Sequence, residues 1–565
     1  MRGVIVLILL LGCIYSSNVV GQHSNFKWAA GMGGPLDEIG HSVAVDDSGN
    51  VYVTGAYRKT VDFDPGVGTF YLTSTGETDI FVQKLSPQGG LIWAKSMGGN
   101  KDDYGYYVCT DAAGHVYVTG LFQGEADFDP GADTFSLISA GYASIFVQKL
   151  DPSGELIWAM SIGAHNDNGG RAMTTDASGN VFVTGFFSGR VDFDPGMETS
   201  YLASKGEGDI FVQKLDSSGA FIWAKSVGGD FTETGLSITT DEMENVYVAG
   251  HFQGTVDFDS ETGTEHITSR GGSDIYVMKL DPSGDFIWVR TVGGRSHESA
   301  KSIAIDALNN VYVTGVFQDT VDFDPGPETN YLTATEGIDV FIQKLSTTGD
   351  FLWARSITGS GWNEGRGITT DTLGNVYVTG FFEDTIHFNR GGRNEFVGSH
   401  GYVDIFVQKL DYQGRVAWTE VIGGKGGDAV NSIASDGKGN IYIVGHYADT
   451  VDFDPGTGTS LLASAGMRDM LLVKLGIATR DESANNIKRS ISIYPNPSDG
   501  KFTVDLGKEY EQVELEVFDI GGRSLQKSSY HRHRHIDMQI DASPGGYFLV
   551  ISSEEGQAVI RLMKE

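Results

Sequence analysis

The chain has 565 residues and carries 74 acidic against 40 basic side chains, which gives a formal charge of −34 at pH 7. A field of this sign and size repels nucleic acid and anionic membrane surfaces, so the composition argues against both as partners. The length exceeds that of one ordinary core, and several modules or an array of repeats are expected.

Residues 1–21 have the pattern of a signal peptide. Arg2 precedes the apolar run Val4–Leu11, and small residues lead to a cleavage site before Gln22. The apolar run is far shorter than the roughly 20 residues of a membrane-spanning helix, so no transmembrane span is expected in the mature chain. The sequence Leu-Leu-Gly-Cys at residues 10–13 leaves lipidation of Cys13 open.

Residues 25–475 repeat with a period of 65. Seven tryptophans share this spacing: Trp28, Trp93, Trp158, Trp223, Trp288, Trp353 and Trp418. In the first unit, β-branched and aromatic runs around Gly-containing turns predict the strands His41–Asp46, Asn50–Tyr57, Asp79–Leu85 and Leu91–Met97. Residues 58–78 are expected to form an extra hairpin, which Asp64-Pro65-Gly66 reverses and Phe63 anchors.

Seven such units without linkers predict an all-β fold, a seven-bladed β-propeller. The strand Asn25–Gly31 has no third strand before it, and the third strand Asp469–Leu475 has no outer strand after it. Pairing these two strands would close the ring. The alternatives are independent beads, which the lack of linkers disfavours, and an open solenoid, which would leave a half-unit unpaired at each end.

Three motifs recur along residues 25–475 with few substitutions. They are Asp-x-x-Gly-Asn-Val-Tyr-Val-Thr-Gly, Asp-Ile-Phe-Val-Gln-Lys-Leu-Asp-Pro-Ser-Gly and Trp-Ala-Lys. These motifs resemble the SBBP propeller repeats of exported bacterial proteins. The resemblance implies a propeller, and it brings no agreed activity or catalytic residues.

The composition changes after residue 475. Residues 476–490 are polar and aperiodic, which predicts a linker, and residues 491–565 alternate strands and turns, which predicts a small β-sandwich. The pieces Tyr494-Pro495-Asn496-Pro497, Val517-Phe518-Asp519 and Pro544-Gly545-Gly546-Tyr547 resemble the C-terminal sorting domain of type IX secretion cargo in Bacteroidetes. The resemblance implies that residues 491–565 engage the type IX machinery, that the protein reaches the medium or the outer cell surface through the periplasm, and that the domain is then removed.

One position in the loops between units is always acidic or an amide. It holds Glu38, Asp103, Asn168, Glu233, Glu298, Asn363 and Asp428. These residues precede the predicted innermost strand, so they are candidate oxygen ligands for a hard cation or for sugar hydroxyls at the channel mouth. The alternative is that they cap turns locally. Trp362, the only tryptophan outside the period, is a candidate to stack on a sugar ring or to cover the rim.

An Asp-x-Asp pair in the extra hairpin is a second candidate site. It points two carboxylates to one side of an extended segment, which suits Ca²⁺. The candidate ligands are Asp62, Asp64, Asp127, Asp129, Asp192, Asp194, Asp322, Asp324, Asp452 and Asp454. Units four and six depart from the pattern, with Asp257-Phe258-Asp259-Ser260 and His387-Phe388-Asn389-Arg390. The alternative is turn formation together with pairing to the recurrent Lys84, for which Asp46 and Asp79 are equally good partners.

These features favour a non-enzymatic binding or adhesion module, surface-bound or secreted, for a glycan or protein ligand. Carboxylates repeat unit after unit, whereas an enzyme needs an asymmetric set, and no catalytic or dinucleotide motif is present. The alternatives are a secreted polysaccharide hydrolase or lyase on a propeller scaffold and a purely structural, adhesive surface protein. No cofactor other than Ca²⁺ is suggested.

Overall fold

The computed structural model describes residues 24–163, 168–259, 265–390, 393–477, 491–519, 523–553 and 556–564. The predicted signal peptide, residues 1–21, and all but the first two residues of the predicted linker lie outside this part of the chain. Within it, every regular element is a β-strand, so the predicted all-β fold is confirmed. The described residues contain no helix with the length and apolar character needed to cross a bilayer.

Each 65-residue unit forms an antiparallel sheet whose strands run inner, second, third and outer in chain order. The second strand Val51–Tyr57 and the third strand Asp79–Leu85 are buried along their whole length. Both faces of each sheet pack against neighbouring sheets, which is why these strands are apolar at consecutive positions rather than at alternate ones.

The strands have the following bounds. The inner strands are Ile39–Val45, Tyr104–Thr110, Asn168–Thr175, Thr234–Thr240, Ser299–Ile305, the second part of Phe351–Thr370, and Ala429–Ser435. The second strands are Val51–Tyr57, Val116–Phe122, Val181–Phe187, Val246–Asp257, Val311–Phe317, Val376–Phe382 and Ile441–Tyr447. The third strands are Asp79–Leu85, Ser144–Leu150, Asp209–Leu215, His266–Leu280, Glu336–Leu345, Asp404–Leu410 and Asp469–Ile477. The outer strands are Leu91–Gly99, Leu156–Ile162, Phe221–Val227, Phe286–Val292, the first part of Phe351–Thr370, Val416–Ile422 and Ser24–Met32.

The segment between the second and third strands forms the predicted extra hairpin. Its strands are Thr60–Asp62 with Tyr71–Thr73, Glu125–Asp127 with Ser136–Ile138, Arg190–Asp192 with Tyr201–Ala203, Thr320–Asp322 with Tyr331–Thr333, Thr385–Arg390 with Arg393–Gly398, and Thr450–Asp452 with Leu461–Ala463. In the first unit Phe63 is buried with its ring centre 5.3 Å from Tyr57 and 5.0 Å from Phe81. The carbonyl of Phe63 accepts a hydrogen bond from Gln83 Nε2 at 2.6 Å. Phe63 therefore holds the hairpin against its own sheet, as predicted.

Neighbouring units are joined by two side chains that reach the same turn. Trp93 Nε1 and Lys84 Nζ both donate to the carbonyl of Pro152, each at 3.2 Å. At the ends of the array the same pattern returns, because Trp28 Nε1 and Lys474 Nζ donate to the carbonyl of Pro87 at 3.3 and 3.0 Å.

The first and last strands of the array pair with each other. Ser24–Met32 lies antiparallel to Asp469–Ile477, and the inner strand Ala429–Ser435 contacts the inner strand Ile39–Val45. This is the pairing that the predicted ring requires, and a truncation described in the Discussion tests it in solution.

The C-terminal part forms two antiparallel sheets around a core of its own. One sheet contains Ser492–Tyr494, Lys501–Tyr510 and His533–Gln539, and the other contains Val513–Asp519, Ser524–Tyr530, Gly545–Ser553 and Gly556–Lys564. Val504, Leu515 and Leu549 are fully buried in this core.

Candidate functional site

Each inner strand contains a β-bulge. In the first unit Gly40 pairs with Gly55 and Ser42 pairs with Thr54, so His41 is left without a partner across the sheet. The equivalent extra residues are Tyr106, Arg171, Leu236, Lys301, Arg366 and Asn431. A bulge turns the side chain of its extra residue away from the regular alternation of the strand.

The packing beside the bulge explains its position. A Cβ atom at Gly105, the residue before the bulged Tyr106, would lie 2.3 Å from Thr54 Oγ1 in the preceding sheet. Glycine stands at this position in five of the seven units, and Ala300 and Val430 stand there in the other two. At Gly105 the close approach of the strands therefore needs the lack of a side chain, while the type of the next residue differs among most of the units.

All seven bulged residues line one cavity of about 540 Å³. Ser237, Ser302 and His446 complete much of its wall. The seven side chains comprise an imidazole, a phenol, two guanidinium groups, an ammonium group, an amide and an isobutyl group. The backbone of the inner strands thus repeats from unit to unit, whereas the side chains that line the cavity do not.

One side of the cavity is aromatic and cationic. The Arg171 guanidinium lies 4.8 Å from the ring centre of Tyr106 and 5.5 Å from that of Phe186. The Tyr106 ring centre is 5.3 Å from His41 and 5.9 Å from the stacked ring of Tyr104. Among the described residues no carboxylate pairs with Arg171, and its buried Nε–H has no acceptor.

The opposite side contains an ion-paired cluster. Glu364 Oε1 lies 3.0 Å from Arg366 Nε and 3.6 Å from Lys301 Nζ, and Glu364 is 3% exposed. Glu364 is the only acid at this position of the repeat, since the equivalent residues are Ile39, Tyr104, Gly169, Thr234, Ser299 and Ala429. Burial lowers the pKa of Lys301, an effect that Glu364 opposes and Arg366 and Arg171 reinforce.

The histidines of the cavity are neutral at pH 7. Burial lowers the pKa of His41 to about 4, with further lowering by Arg171 and Arg366. Burial also lowers the pKa of His446 to about 4. The charge of the cavity is therefore carried by three cationic side chains and the carboxylate of Glu364.

The loop residues predicted as oxygen ligands do not line this cavity. All seven are buried, with exposed fractions of 1% or less: Glu38, Asp103, Asn168, Glu233, Glu298, Asn363 and Asp428. Asp103 shows the contacts that such a residue makes, because its Oδ2 accepts from the Gly99 N–H at 2.7 Å and its Oδ1 from the Gln123 N–H at 3.0 Å. These are the contacts of a turn cap, so a ligand role for the set stays a prediction.

Burial also raises the pKa of these loop carboxyl groups. The pKa is raised to about 7 for Glu38, Asp103, Glu233 and Glu298, and to about 6 for Asp428. An aspartate at the start of a third strand lies near each group and adds to the rise, as Asp79 does for Asp103. In the sixth unit an amide replaces the acid, and Asn363 Nδ2 donates to Asp339 Oδ1 at 2.9 Å.

Trp362 lies at the rim close to the ion-paired cluster. Its side chain is 47% exposed, and its ring centre is 5.8 Å from that of Phe381. The Arg366 guanidinium lies 5.5 Å from the same Phe381 ring. Phe381 thus connects the predicted stacking residue to the cavity wall, although stacking on a sugar stays a prediction.

The Asp-x-Asp pairs build turns. Asp62 Oδ1 accepts from the N–H groups of Asp64 and Phe70 at 3.1 and 2.8 Å, and Asp64 Oδ1 accepts from the Gly66 N–H at 2.8 Å. The same bonds recur at Asp127 and Asp129, Asp192 and Asp194, Asp322 and Asp324, and Asp452 and Asp454. In the described ranges no group of three or more His, Cys, Asp or Glu side chains is arranged to hold a metal. Calcium binding stays a prediction, and a calorimetric titration without heat or a rise in melting temperature would remove it.

The suggested pairing of Lys84 with the Asp-x-Asp motif is wrong. Lys84 Nζ lies 5.0 Å from the ring centre of Tyr52, and the carboxylate that acts on it is Asp46. The equivalent pairs Lys279–Asp241 and Lys344–Asp306 have N···O distances of 3.6 and 3.7 Å. The reason is geometric: the lysine points along the third strand toward the turn after the inner strand, and the extra hairpin lies at the other end of the sheet.

Two known protein families match the two parts of the chain that the fold shows. Residues 492–565 match the family described as secretion system C-terminal sorting domain, and residues 28–56 and 354–380 match the beta-propeller repeat family SBBP. The chain contains SBBP beta-propeller repeats and a C-terminal sorting domain. The sorting domain indicates export through the type IX secretion system to the cell surface or the extracellular space, and it implies contact with that machinery. The predicted families and location are confirmed.

Two curated proteins are similar to part of this chain. It is 28% identical over 251 residues to the uncharacterized WD repeat-containing protein L264 of Acanthamoeba polyphaga mimivirus, which is 40% of this chain and 18% of that protein. It is 26% identical over 180 residues to the regulatory protein FlaEY of Caulobacter vibrioides, which is 32% of this chain and 18% of that protein. The chain therefore spans about a fifth of the length of these relatives.

Among solved structures, a chain from the crystal structure of the mitotic checkpoint complex aligns with a TM-score of 0.39 and 10% identity, covering 84% of this chain and 99% of that one. A structural genomics protein of unknown function from Bacteroides thetaiotaomicron aligns with a TM-score of 0.27 and 11% identity, covering 80% and 98%.

Proposed function

We propose that this exported propeller is a non-enzymatic binding module whose central cavity takes the ligand. The observation that carries the proposal is the ring of seven bulged residues, which hold six different residue types on an otherwise repeated scaffold. Residues that serve only packing recur at each unit here, as the tryptophans do. A position that holds six residue types in seven units is not fixed by one common packing contact, and it suits recognition.

The size of the cavity supports a small ligand or the end of a chain. Its volume of about 540 Å³ falls within the range of about 300–1,000 Å³ that is usual for small-molecule sites. The lining combines aromatic faces with a few polar groups, which is the composition that orients a bound molecule. A glycan unit or a peptide side chain would fit this description.

A polysaccharide hydrolase would need more than the cavity offers. Glycoside hydrolysis uses two carboxyl groups on opposite sides of the scissile bond. None of the described residues that line the cavity is acidic, and Arg366 and Lys301 already hold the carboxylate of the adjacent Glu364. A purely structural, adhesive protein would make no use of the cavity. Filling the cavity therefore distinguishes a binding module from a structural protein.

The test is a glycan and peptide array probed with the purified protein and with two plugged variants. Leu236→Trp and Asn431→Trp fill the cavity from different units, and either one that keeps the wild-type melting temperature is informative. We expect array binding that both variants abolish, with no product formed. Binding unchanged by both folded variants would refute a cavity role, and product formation would identify an enzyme.

A further inference from the structure

The charge of the cavity is opposite to that of the protein. The whole chain has a formal charge of −34. The cavity nevertheless gathers Arg171, Lys301 and Arg366 from three different units, all on bulges of the inner strands. Glu364 is the one described carboxylate paired with any of them.

Cations removed from water need compensation. Partial burial of a charged group is unfavourable unless an opposite charge or hydrogen bonds replace the lost water. Lys301 and Arg366 share the carboxylate of Glu364. Among the described residues, no carboxylate pairs with Arg171, and the buried Nε–H of Arg171 has no hydrogen-bond acceptor. His41 and His446 are held neutral, so they neither add to nor offset this excess. The cavity therefore has room for at least one further negative charge.

We propose that the cavity binds an acidic saccharide of one or two sugar units, whose carboxylate or sulfate ester lies between Arg171 and the Lys301–Arg366 pair. This inference rests on the proposed function and assigns its ligand class. Arg171 presents a planar fork that matches an oxyanion in two parallel hydrogen bonds. Tyr106 and His41 lie beside it and form the aromatic part of the cavity wall that a sugar would contact.

The acidic exterior limits the length of the ligand. Long polyanions are repelled by the field of the whole protein before they reach the channel. A single acidic unit, or the end of a mostly neutral chain, carries one charge and meets a locally positive wall. Selection therefore favours small acidic sugars over nucleic acid and over densely charged polysaccharides.

The decisive experiment is isothermal titration of the full exported protein with four probes. They are a neutral disaccharide, the same disaccharide with one glucuronic acid, the same disaccharide with one sulfate ester, and inorganic sulfate. We expect one of the acidic disaccharides to bind at least tenfold more tightly than the neutral one. Equal affinities for neutral and acidic disaccharides would overturn the proposal, and so would inorganic sulfate binding as tightly as the sulfated sugar.

Variants locate the site. Arg171→Gln and Lys301→Gln should each weaken binding of the acidic disaccharide at least tenfold. Arg171→Lys keeps the charge but loses the planar pair of donors, so its affinity should lie between those of the wild type and Arg171→Gln. Lys101→Gln is the matched control, because it removes one positive charge from an exposed loop on the same face and should change affinity less than twofold. Melting temperatures check that each variant folds, and wild-type affinity in both folded glutamine variants would refute the proposed site.

The outcomes also separate this inference from the proposed function. If the neutral disaccharide binds, Leu236→Trp abolishes its binding and Arg171→Gln leaves its affinity unchanged, the proposed binding function is supported and the acidic ligand class is refuted. If Leu236→Trp changes the binding of no probe and of no array component, both proposals are refuted. Proton uptake on binding is a further expected signature, because burial lowers the pKa of Lys301 and an anion beside it opposes this lowering.

Discussion

Replacing Asp103 by asparagine should change how the stability of the propeller depends on pH. Asp103 is completely buried, and burial raises its pKa from 3.8 to about 7, with Asp79 and Asp102 adding to the rise. The chain already contains amides at the equivalent positions Asn168 and Asn363, so the scaffold accepts this substitution.

The magnitude follows from the size of the rise. A change in pKa from 3.8 to about 7 corresponds to about 4 kcal/mol, since each pKa unit is worth about 1.4 kcal/mol. The native protein keeps the proton up to about pH 7, whereas the unfolded chain releases it near pH 4. Between these values the unfolded state binds fewer protons, so the free energy of unfolding falls as pH rises through this window and is flat on either side.

Asparagine has no proton to lose, so the Asp103 contribution to this slope disappears. It also offers one acceptor oxygen to the two N–H groups of Gly99 and Gln123, and a lost hydrogen bond costs about 1 kcal/mol. The variant should therefore be less stable than wild type by about 1 kcal/mol at pH 4. At pH 8 it should be more stable by about 2–3 kcal/mol.

Urea unfolding of the full chain at pH 4, 6 and 8, followed by tryptophan fluorescence, measures this effect. All 8 tryptophans lie in the propeller, so the signal reports that part alone. Asp133→Asn, in an exposed loop, is the matched control and should follow the wild-type pH dependence. An Asp103→Asn variant with the wild-type slope, or one less stable at pH 8, would refute the reasoning.

Four further predictions concern the scaffold and its export. Deleting residues 24–32 removes the outer strand of the last sheet and should lower the melting temperature by about 10 °C or more, while an unchanged value would argue against the ring. Phe128→Ala should cost about 3–5 kcal/mol in the free energy of unfolding because the ring is fully buried, whereas Phe135→Ala, 41% exposed, should cost about 1 kcal/mol or less. Deleting residues 491–565 should retain the protein inside the cell envelope. In the wild type, mass spectrometry of the medium should find cleavage within residues 476–490, and a secreted chain that still carries residues 491–565 would contradict it.

The repeated parts of the fold were predictable from the sequence. The third strand Asp79–Leu85 has the predicted bounds, because the turn signals on both sides of its apolar run determine where the strand begins and ends. The inner strand begins at Ile39 rather than at His41, because the strand continues through a bulge that breaks the alternation expected of a regular strand. A bulge has no signal in one short segment, and it becomes visible only when the segments are aligned on their period.

The candidate site was harder to predict for a related reason. Acidic or amide residues recur at the Asp103 position because each loop needs the same cap for its own backbone. Chemistry that recurs marks a structural requirement, while Arg171 and Lys301 stand at a position where no two neighbouring units agree. Whether a polar side chain faces a loop or a cavity depends on packing between sheets, and the sequence of one unit does not contain that information.

The bulges have a consequence for how such a protein changes over generations. Because the extra residue in each inner strand stands outside the pairing of the two strands, exchanging it breaks no strand pairing. His41 and Asn431 also hydrogen-bond the carbonyls of Gly105 and Gly40 in neighbouring units. Seven such positions line a single cavity, so one substitution changes the lining of the cavity and leaves the strand pairing intact. These seven positions are therefore the natural choice for a randomised library that tests the proposed binding function.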